Sequence, residues 1–182
     1  REIFYSVSES ESLDHATYLS INTQAGNELS PKEYVAFQIL EYVLLDAPGA
    51  PLKKALLDAG IGDDIMGGYE YGILQPYFSV IAKNAEREQK DEFVKVVKST
   101  LRKLVDGGIE KKSLKAGINN YEFQYREADY GSAPKGLMYG LQCLDSWLYG
   151  GDPMMHLEYE EPFAALKEGA DHGYFEGLIR TY

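Results

Sequence analysis

Three histidines, one cysteine and twenty-nine carboxylates are the side chains from which this 182-residue chain could build chemistry. His15 is followed by Ala16, Thr17, Tyr18 and Leu19, so neither H-E-x-x-H nor H-x-x-E-H can be written from it. His156-Leu157-Glu158-Tyr159-Glu160 and His172-Gly173 fail the same test. Zinc needs several nitrogen, sulfur or oxygen ligands on a fixed geometry, and no local pair here begins such a set. The histidines therefore read as surface or cap residues. Glu158, Glu160 and Glu161 could supply an acid and a base, but a working pair needs unequal burial, and a run beside Pro162 reads as a solvated helix start. Ser79 has no G-x-S-x-G around it, and Cys143 has no histidine nearby in sequence, so nucleophilic catalysis finds no support. Cys143 lies in an apolar segment and reads as a buried structural thiol in a reducing compartment.

Gly60-Ile61-Gly62-Asp63-Asp64, with Gly67-Gly68, has the glycine density of a phosphate loop but not its G-K-S/T ending. Asp63 and Asp64 would repel a phosphate, so the glycines read as turns. Fifteen tyrosines against one tryptophan are the compositional oddity. Tyr69, Tyr71, Tyr77, Tyr121, Tyr125, Tyr130, Tyr139 and Tyr149 could line an interface or a peptide-holding wall, because a phenol offers apolar area and a hydrogen bond together. Ordinary half-buried packing accounts for most of them. A net charge of -11 argues against a nucleic-acid or anionic-membrane surface, which would need clustered Lys and Arg. No apolar run reaches the roughly 20 residues that span a bilayer, which predicts a soluble chain.

Residues that could act must be positioned by a frame, and that frame is organised around residues 30–60. Ser30-Pro31-Lys32-Glu33 has the form of a capping box with Pro at the first helical position. Val35, Ala36, Phe37, Ile39, Leu40, Tyr42, Val43, Leu44 and Leu45 then fill nearly the whole circumference of a helix, leaving Gln38 and Glu41 as a narrow polar seam. Ala47-Pro48-Gly49-Ala50-Pro51 breaks it, and a short helix over 52–59 ends at Gly60. Before this core, Ile3 and residues 4–7 are strand-like, residues 9–12 form a polar connection, and residues 16–23 alternate as a strand. After it, 61–71 is a glycine-punctuated segment and 75–83 a clearer strand with Pro76 near its start or on an edge.

Residues 86–105 carry the sharpest amphipathic pattern in the chain, with acids early and bases late as the macrodipole favours. Further helices follow over 109–130, from Ser132 to Gly150, over 153–166 and over 173–182. Strands come first and helices accumulate later. The expected class is α+β, an antiparallel sheet of about three to five strands with helices packed on one face. No internal repeat or linker divides the chain, so residues 1–182 read as a single α+β domain. It opens on Arg1 in what reads as ordered structure, as a fragment of something longer would.

The combination of Glu41-Tyr42-Val43-Leu44-Leu45, Ala47-Pro48-Gly49-Ala50-Pro51-Leu52-Lys53-Lys54-Ala55-Leu56, Gly60-Ile61-Gly62-Asp63-Asp64 and Pro76-Tyr77-Phe78-Ser79-Val80 resembles the presequence-protease branch of the insulinase-like (M16) zinc metallopeptidases. The likeness extends over most of 17–182, including Gly150-Gly151-Asp152-Pro153. It implies the LuxS/MPP-like metallohydrolase fold. It also implies a parent enzyme of two halves, each of two related α+β domains, closing around a chamber where peptides are cut. This chain resembles the second, non-catalytic domain of the N-terminal half. The inverted zinc motif belongs to the first domain and is absent here, so the resemblance assigns no catalytic residue and no metal ligand to this chain. Its substrate-binding residues stay unknown.

The resemblance thus implies a structural and substrate-enclosing domain, inactive alone and with no cofactor of its own, zinc being expected in the missing domain. Its partners would be the catalytic domain of the same parent chain and peptide substrates. Its compartment would be the cytoplasm in a bacterium or an organelle matrix otherwise. Two alternatives remain beside it: a stand-alone peptide- or protein-binding module using the tyrosine-rich surface, and a self-contained hydrolase whose site is dispersed in sequence.

Overall fold

The computed structural model describes residues 1–10 and 12–182. Ser30 caps the central helix as its sequence demands: it is extended, and its hydroxyl accepts the Glu33 N–H at 3.4 Å. The reciprocal half of the capping box is replaced. The Ser30 N–H is taken by the Asn27 carbonyl at 2.9 Å, and Glu33 instead accepts the Tyr182 hydroxyl at 3.1 Å. Helix α1 (Pro31–Glu41) buries every side chain from Tyr34 to Leu40 and passes directly into a π-helical turn, Tyr42–Asp46, closed by Ala47 N–H to Tyr42 O at 2.7 Å. Gln38 is not a solvent seam, being only 4% exposed. Helix α2 (Pro51–Asp58) follows the Pro-Gly corner and puts Leu52 and Leu56 into the same core.

Strands β1 (Thr17–Gln24), β2 (Asp64–Glu70) and β3 (Tyr77–Ala85) form an antiparallel sheet in the order β1-β3-β2. Register places Leu19, Ala82 and Ile65 in one row and Thr23, Phe78 and Tyr69 in another. Period two sends both rows to the same face, and all of these but Thr23 are buried there under the helices. The opposite face exposes Tyr18, Ser20, Asn22 and Met66. Pro76 sits just before central β3, where its missing donor costs nothing and its carbonyl accepts the Ala25 N–H at 2.9 Å.

Beyond the sheet lie a 3-10 turn (Arg87–Gln89) and helices α3 (Lys90–Gly107), α4 (Lys111–Glu127), α5 (Lys135–Trp147), α6 (Glu160–Ala170) and α7 (Tyr174–Thr181). Glu86 and Gln89 exchange a full capping box before α3. Among the described residues this makes three strands and seven α-helices, an α+β fold with its helices on one face of the sheet. The core runs between the inner sheet face and α1, and α3, α4, α6 and α7 close it with Phe93, Leu114, Phe163 and Phe175.

The pattern misleads in two places. Residues 3–7 form no strand: Phe4 is 90% exposed, and the segment is held through Tyr5, whose hydroxyl meets the Ala16 carbonyl, and beside a bidentate Arg87–Glu2 pair at 3.0 Å. Strand propensity needs a neighbouring edge to pair with, and this segment has none in register. Of the polar connection over 9–12, Glu11 lies outside the described residues. The helix expected over 153–166 starts only at Glu160, because Asp152 turns the preceding chain, its carboxylate accepting the Met154 N–H at 2.8 Å and its carbonyl the Ser146 hydroxyl at 2.7 Å.

Gly117 explains why α4 reads as poorly patterned. A Cβ there would stand 3.0 Å from Val43 Cγ2 and 3.3 Å from Ile39 and Tyr42, so α4 approaches α1 where no side chain fits. Gly117→Val should therefore lower the urea-unfolding free energy by about 1–3 kcal/mol through overpacking. Gly136→Ala on α5, which meets open space, should leave it unchanged or raise it by up to about 1 kcal/mol through helix propensity.

Candidate functional site

Burying α1 on all sides means that its polar atoms must be answered from inside the fold. Gln38 Nε2 donates to the Tyr34 carbonyl at 3.0 Å and to the Tyr125 hydroxyl at 3.2 Å. Glu41 Oε2 accepts the Tyr69 N–H at 3.0 Å, which covers the open edge of β2. The Tyr34 hydroxyl donates to Asp145 Oδ2 at 2.9 Å, tying α1 to α5. Around these bonds Tyr34, Tyr69, Tyr71, Tyr121, Tyr125 and Tyr130 line one cleft of about 790 Å³ between α1, the β2 edge, α4 and α5. Tyr34 meets Tyr71 edge to face at 5.0 Å.

Behind the Tyr34 ring lies a second feature, a fully buried acid and imidazole. The His156 ring stacks on Tyr34 at 3.9 Å, and its Nε2 is 3.9 Å from Glu28 Oε1, both side chains being 0% exposed. Glu28 Oε1 accepts the Gly72 N–H at 3.0 Å, while Glu28 Oε2 and both His156 nitrogens have no hydrogen-bond partner among the described residues. Burial pushes the Glu28 carboxyl up to about 8, with the Gly72 N–H opposing and Asp145 adding to the rise. Burial pushes the His156 imidazole down to about 4, opposed by the Glu28 main chain. Near neutral pH the pair is thus held as a carboxylic acid beside a neutral imidazole. Asp145, facing Tyr34, is also raised by burial, with the phenol's hydrogen bond working against the rise.

This cluster joins three loops. Glu28 precedes α1, Gly72 lies in the β2–β3 connection and also accepts the Tyr149 hydroxyl at 3.1 Å, and His156 follows α5, its carbonyl accepting Gln142 Nε2 at 3.0 Å. α5 contributes only Ser146 to the buried set, so polar bonds rather than apolar packing attach it.

Of the residues singled out from the sequence, Tyr69, Tyr71, Tyr121, Tyr125 and Tyr130 come together in the cleft. Tyr139 instead packs edge-on to Tyr130 at 5.9 Å, Tyr149 holds Gly72, and Tyr77 lies apart on β3. The histidines are scattered. His15 is exposed, with Nδ1 3.0 Å from Glu86, and His172 is exposed, but His156 is buried and corrects the expectation of a surface residue. Cys143 is half-buried rather than buried, because α5 turns its apolar residues outward. Gly60 and Gly62, at φ +68° and +70°, are the turn residues expected of them. Among the described residues no group of three or more His, Cys, Asp and Glu is placed to hold a metal ion. The sequence reading missed Glu28, Tyr34 and Asp145, and no local spacing announces them.

The fold matches the inactive peptidase domain of a protein described as a zinc protease from Bordetella parapertussis, with a TM-score of 0.70 and 12% identity, covering 89% of this chain and 85% of that one. It also matches pitrilysin, with a TM-score of 0.53, over 87% of this chain and 17% of that one. Residues 5–121 match the model of the peptidase M16 inactive domain, and the chain belongs to that family. Protein HypA of Clostridium perfringens is 47% identical over 98% of this chain and 18% of its own length. Presequence protease 1, chloroplastic/mitochondrial, of Arabidopsis thaliana is 35% identical over 73% of this chain and 12% of its own. The chain thus spans less than a fifth of the length of these curated relatives.

The buried pair makes stability depend on pH in a defined direction. Glu28 keeps its proton in the folded chain where an unfolded glutamate has lost it, so its contribution falls as pH rises from about 4.5 to about 8. His156 stays neutral in the folded chain where an unfolded histidine is charged, so its contribution falls as pH drops from about 6.5 to about 4. The two slopes oppose each other between pH 4.5 and 6.5, and of the pair it is Glu28 that acts on the alkaline side. Urea unfolding should show a loss of about 1–2 kcal/mol between pH 6.5 and 8, and Glu28→Gln should flatten that limb.

Proposed function

We propose that residues 1–182 form one non-catalytic domain of a longer zinc endopeptidase of the presequence-protease branch, where it packs beside the zinc-bearing domain and walls the chamber that encloses peptide substrates. Several facts support this reading. The chain belongs to the M16 inactive-domain family, its relatives are several times longer, and one of them is named a presequence protease. The observation that carries it is the outward side of α5 and the turn after it. Leu137, Trp147, Leu148 and Met154 are exposed there, Trp147 to 63% and Leu148 to 66%, on a helix that gives almost nothing to the core. Apolar surface concentrated in this way marks a face that another body covers.

In this reading the chain supplies no catalytic residue and no metal ligand, and zinc resides in another domain of the parent. The tyrosine cleft is its peptide-facing surface. No helix among the described residues is long and apolar enough to cross a membrane. The compartment follows the parent: cytoplasm in a bacterium, organelle matrix for a relative of the chloroplastic/mitochondrial enzyme.

The isolated chain, incubated with an unstructured peptide and assayed for bound metal, should show no chelator-sensitive cleavage and no stoichiometric zinc. Cleavage with one zinc per chain would overturn the reading. In the full-length protein, Trp147→Arg with Leu148→Arg should lower peptidase activity by about tenfold or more. The same pair in the isolated chain should change its unfolding free energy by no more than about 0.5 kcal/mol, as expected of exposed positions.

A further inference from the structure

The lining of the tyrosine cleft has a one-sided chemistry. Its walls are mostly phenol rings with Phe123, Met138 and Leu141 beside them, its charged side chains are all acidic, Glu41, Glu70 and Asp145 among them, and no Lys, Arg or His among the described residues lines it. Two of these carboxylates are fixed by one oxygen and free at the other. Glu41 gives Oε2 to the Tyr69 N–H, and Asp145 gives Oδ2 to the Tyr34 hydroxyl, while Glu41 Oε1 and Asp145 Oδ1 carry no hydrogen bond among the described residues. Both acids are raised by burial, the condition that an arriving cation relieves. The phenols keep their protons, since burial raises Tyr71 and Tyr121 as well, so they offer neutral π faces rather than charge.

We propose that this cleft binds the arginine side chain of an extended peptide segment. A guanidinium matches both parts of the lining: its plane stacks on the faces of Tyr71 and Tyr121, and its fork of donors reaches the spare carboxylate oxygens. A lysine ammonium is more strongly hydrated and lacks the planar fork, so it fits less well. At about 790 Å³ the cleft exceeds a single side chain and admits the flanking main chain. The inference deepens the reading of the chain as a peptide-enclosing wall, and it rests on that reading for the source of the peptide.

The test uses the 182-residue chain and three fluorescent unstructured dodecapeptides, identical except for arginine, citrulline or glutamate at one central position. Citrulline keeps the shape of arginine and removes its charge. Anisotropy titrations should show the arginine peptide binding about tenfold tighter than the citrulline peptide and the glutamate peptide weakest, with the arginine advantage shrinking as salt is raised. The variant Glu41→Gln with Asp145→Asn should reduce that advantage to less than about twofold. Should this variant lose its circular dichroism spectrum, Tyr121→Leu serves instead and should weaken arginine binding selectively. Equal binding of all three peptides would overturn the arginine site and leave the wall reading standing. Binding of none would remove both. An arginine preference untouched in the folded variants would place the cation elsewhere and overturn the assignment to this cleft.

Discussion

The structure depends on one constraint: α1 is apolar on nearly every side and must be covered all round. Sheet, α4, α6 and the π-turn that prolongs α1 are disposed to meet it, and Gly117 lets α4 come close enough to do so. Complete burial also removes water from the few polar groups α1 carries. Tyr34, Gln38 and Glu41 therefore take their partners from β2, α4 and α5, and those three directions outline the cleft. The cleft is the consequence of satisfying a buried helix, so its phenols and carboxylates are held by the same bonds that hold the core.

α5 has a different relation to the fold. It is joined by the Tyr34–Asp145 bond, by Tyr149 on Gly72 and by Gln142 on the His156 carbonyl, with the Glu28–His156 pair lodged behind. Its apolar side points away from the body. An element with its polar atoms turned inward and its apolar ones outward is inverted for a free-standing domain and well formed for one wedged between two bodies. That inversion agrees with a chain that spans less than a fifth of its curated relatives. The buried acid and imidazole also make attachment at this point sensitive to proton concentration, since charging either partner brings an unanswered charge into a dry site.

Much of the frame was legible from short stretches of chain. The Ser30 cap, the Pro-Gly corner, the alternation of β1 and β3 and the amphipathic α3 were all readable, because each is set by residues within one or two turns of one another. The family resemblance was readable for a related reason, since it rests on ordered local segments along one stretch of chain. Where partners are distant the reading failed. Residues 3–7 have strand character without an edge to join, and the fate of Glu33 depended on Tyr182 at the far end of the chain.

For this protein the sequence by itself determined the element types, the α+β class and the absence of a local zinc motif, all carried by short-range spacing and backbone propensity. Only the tertiary structure decided that His156 is buried on Tyr34, that Glu28 lies beside it, and that the tyrosines of β2 and α4 share one cleft with Asp145 of α5. The physical reason is that a side chain's burial, charge state and partners are set by whatever distant segment packs over it, and nothing in the residue's own neighbourhood in sequence encodes that choice.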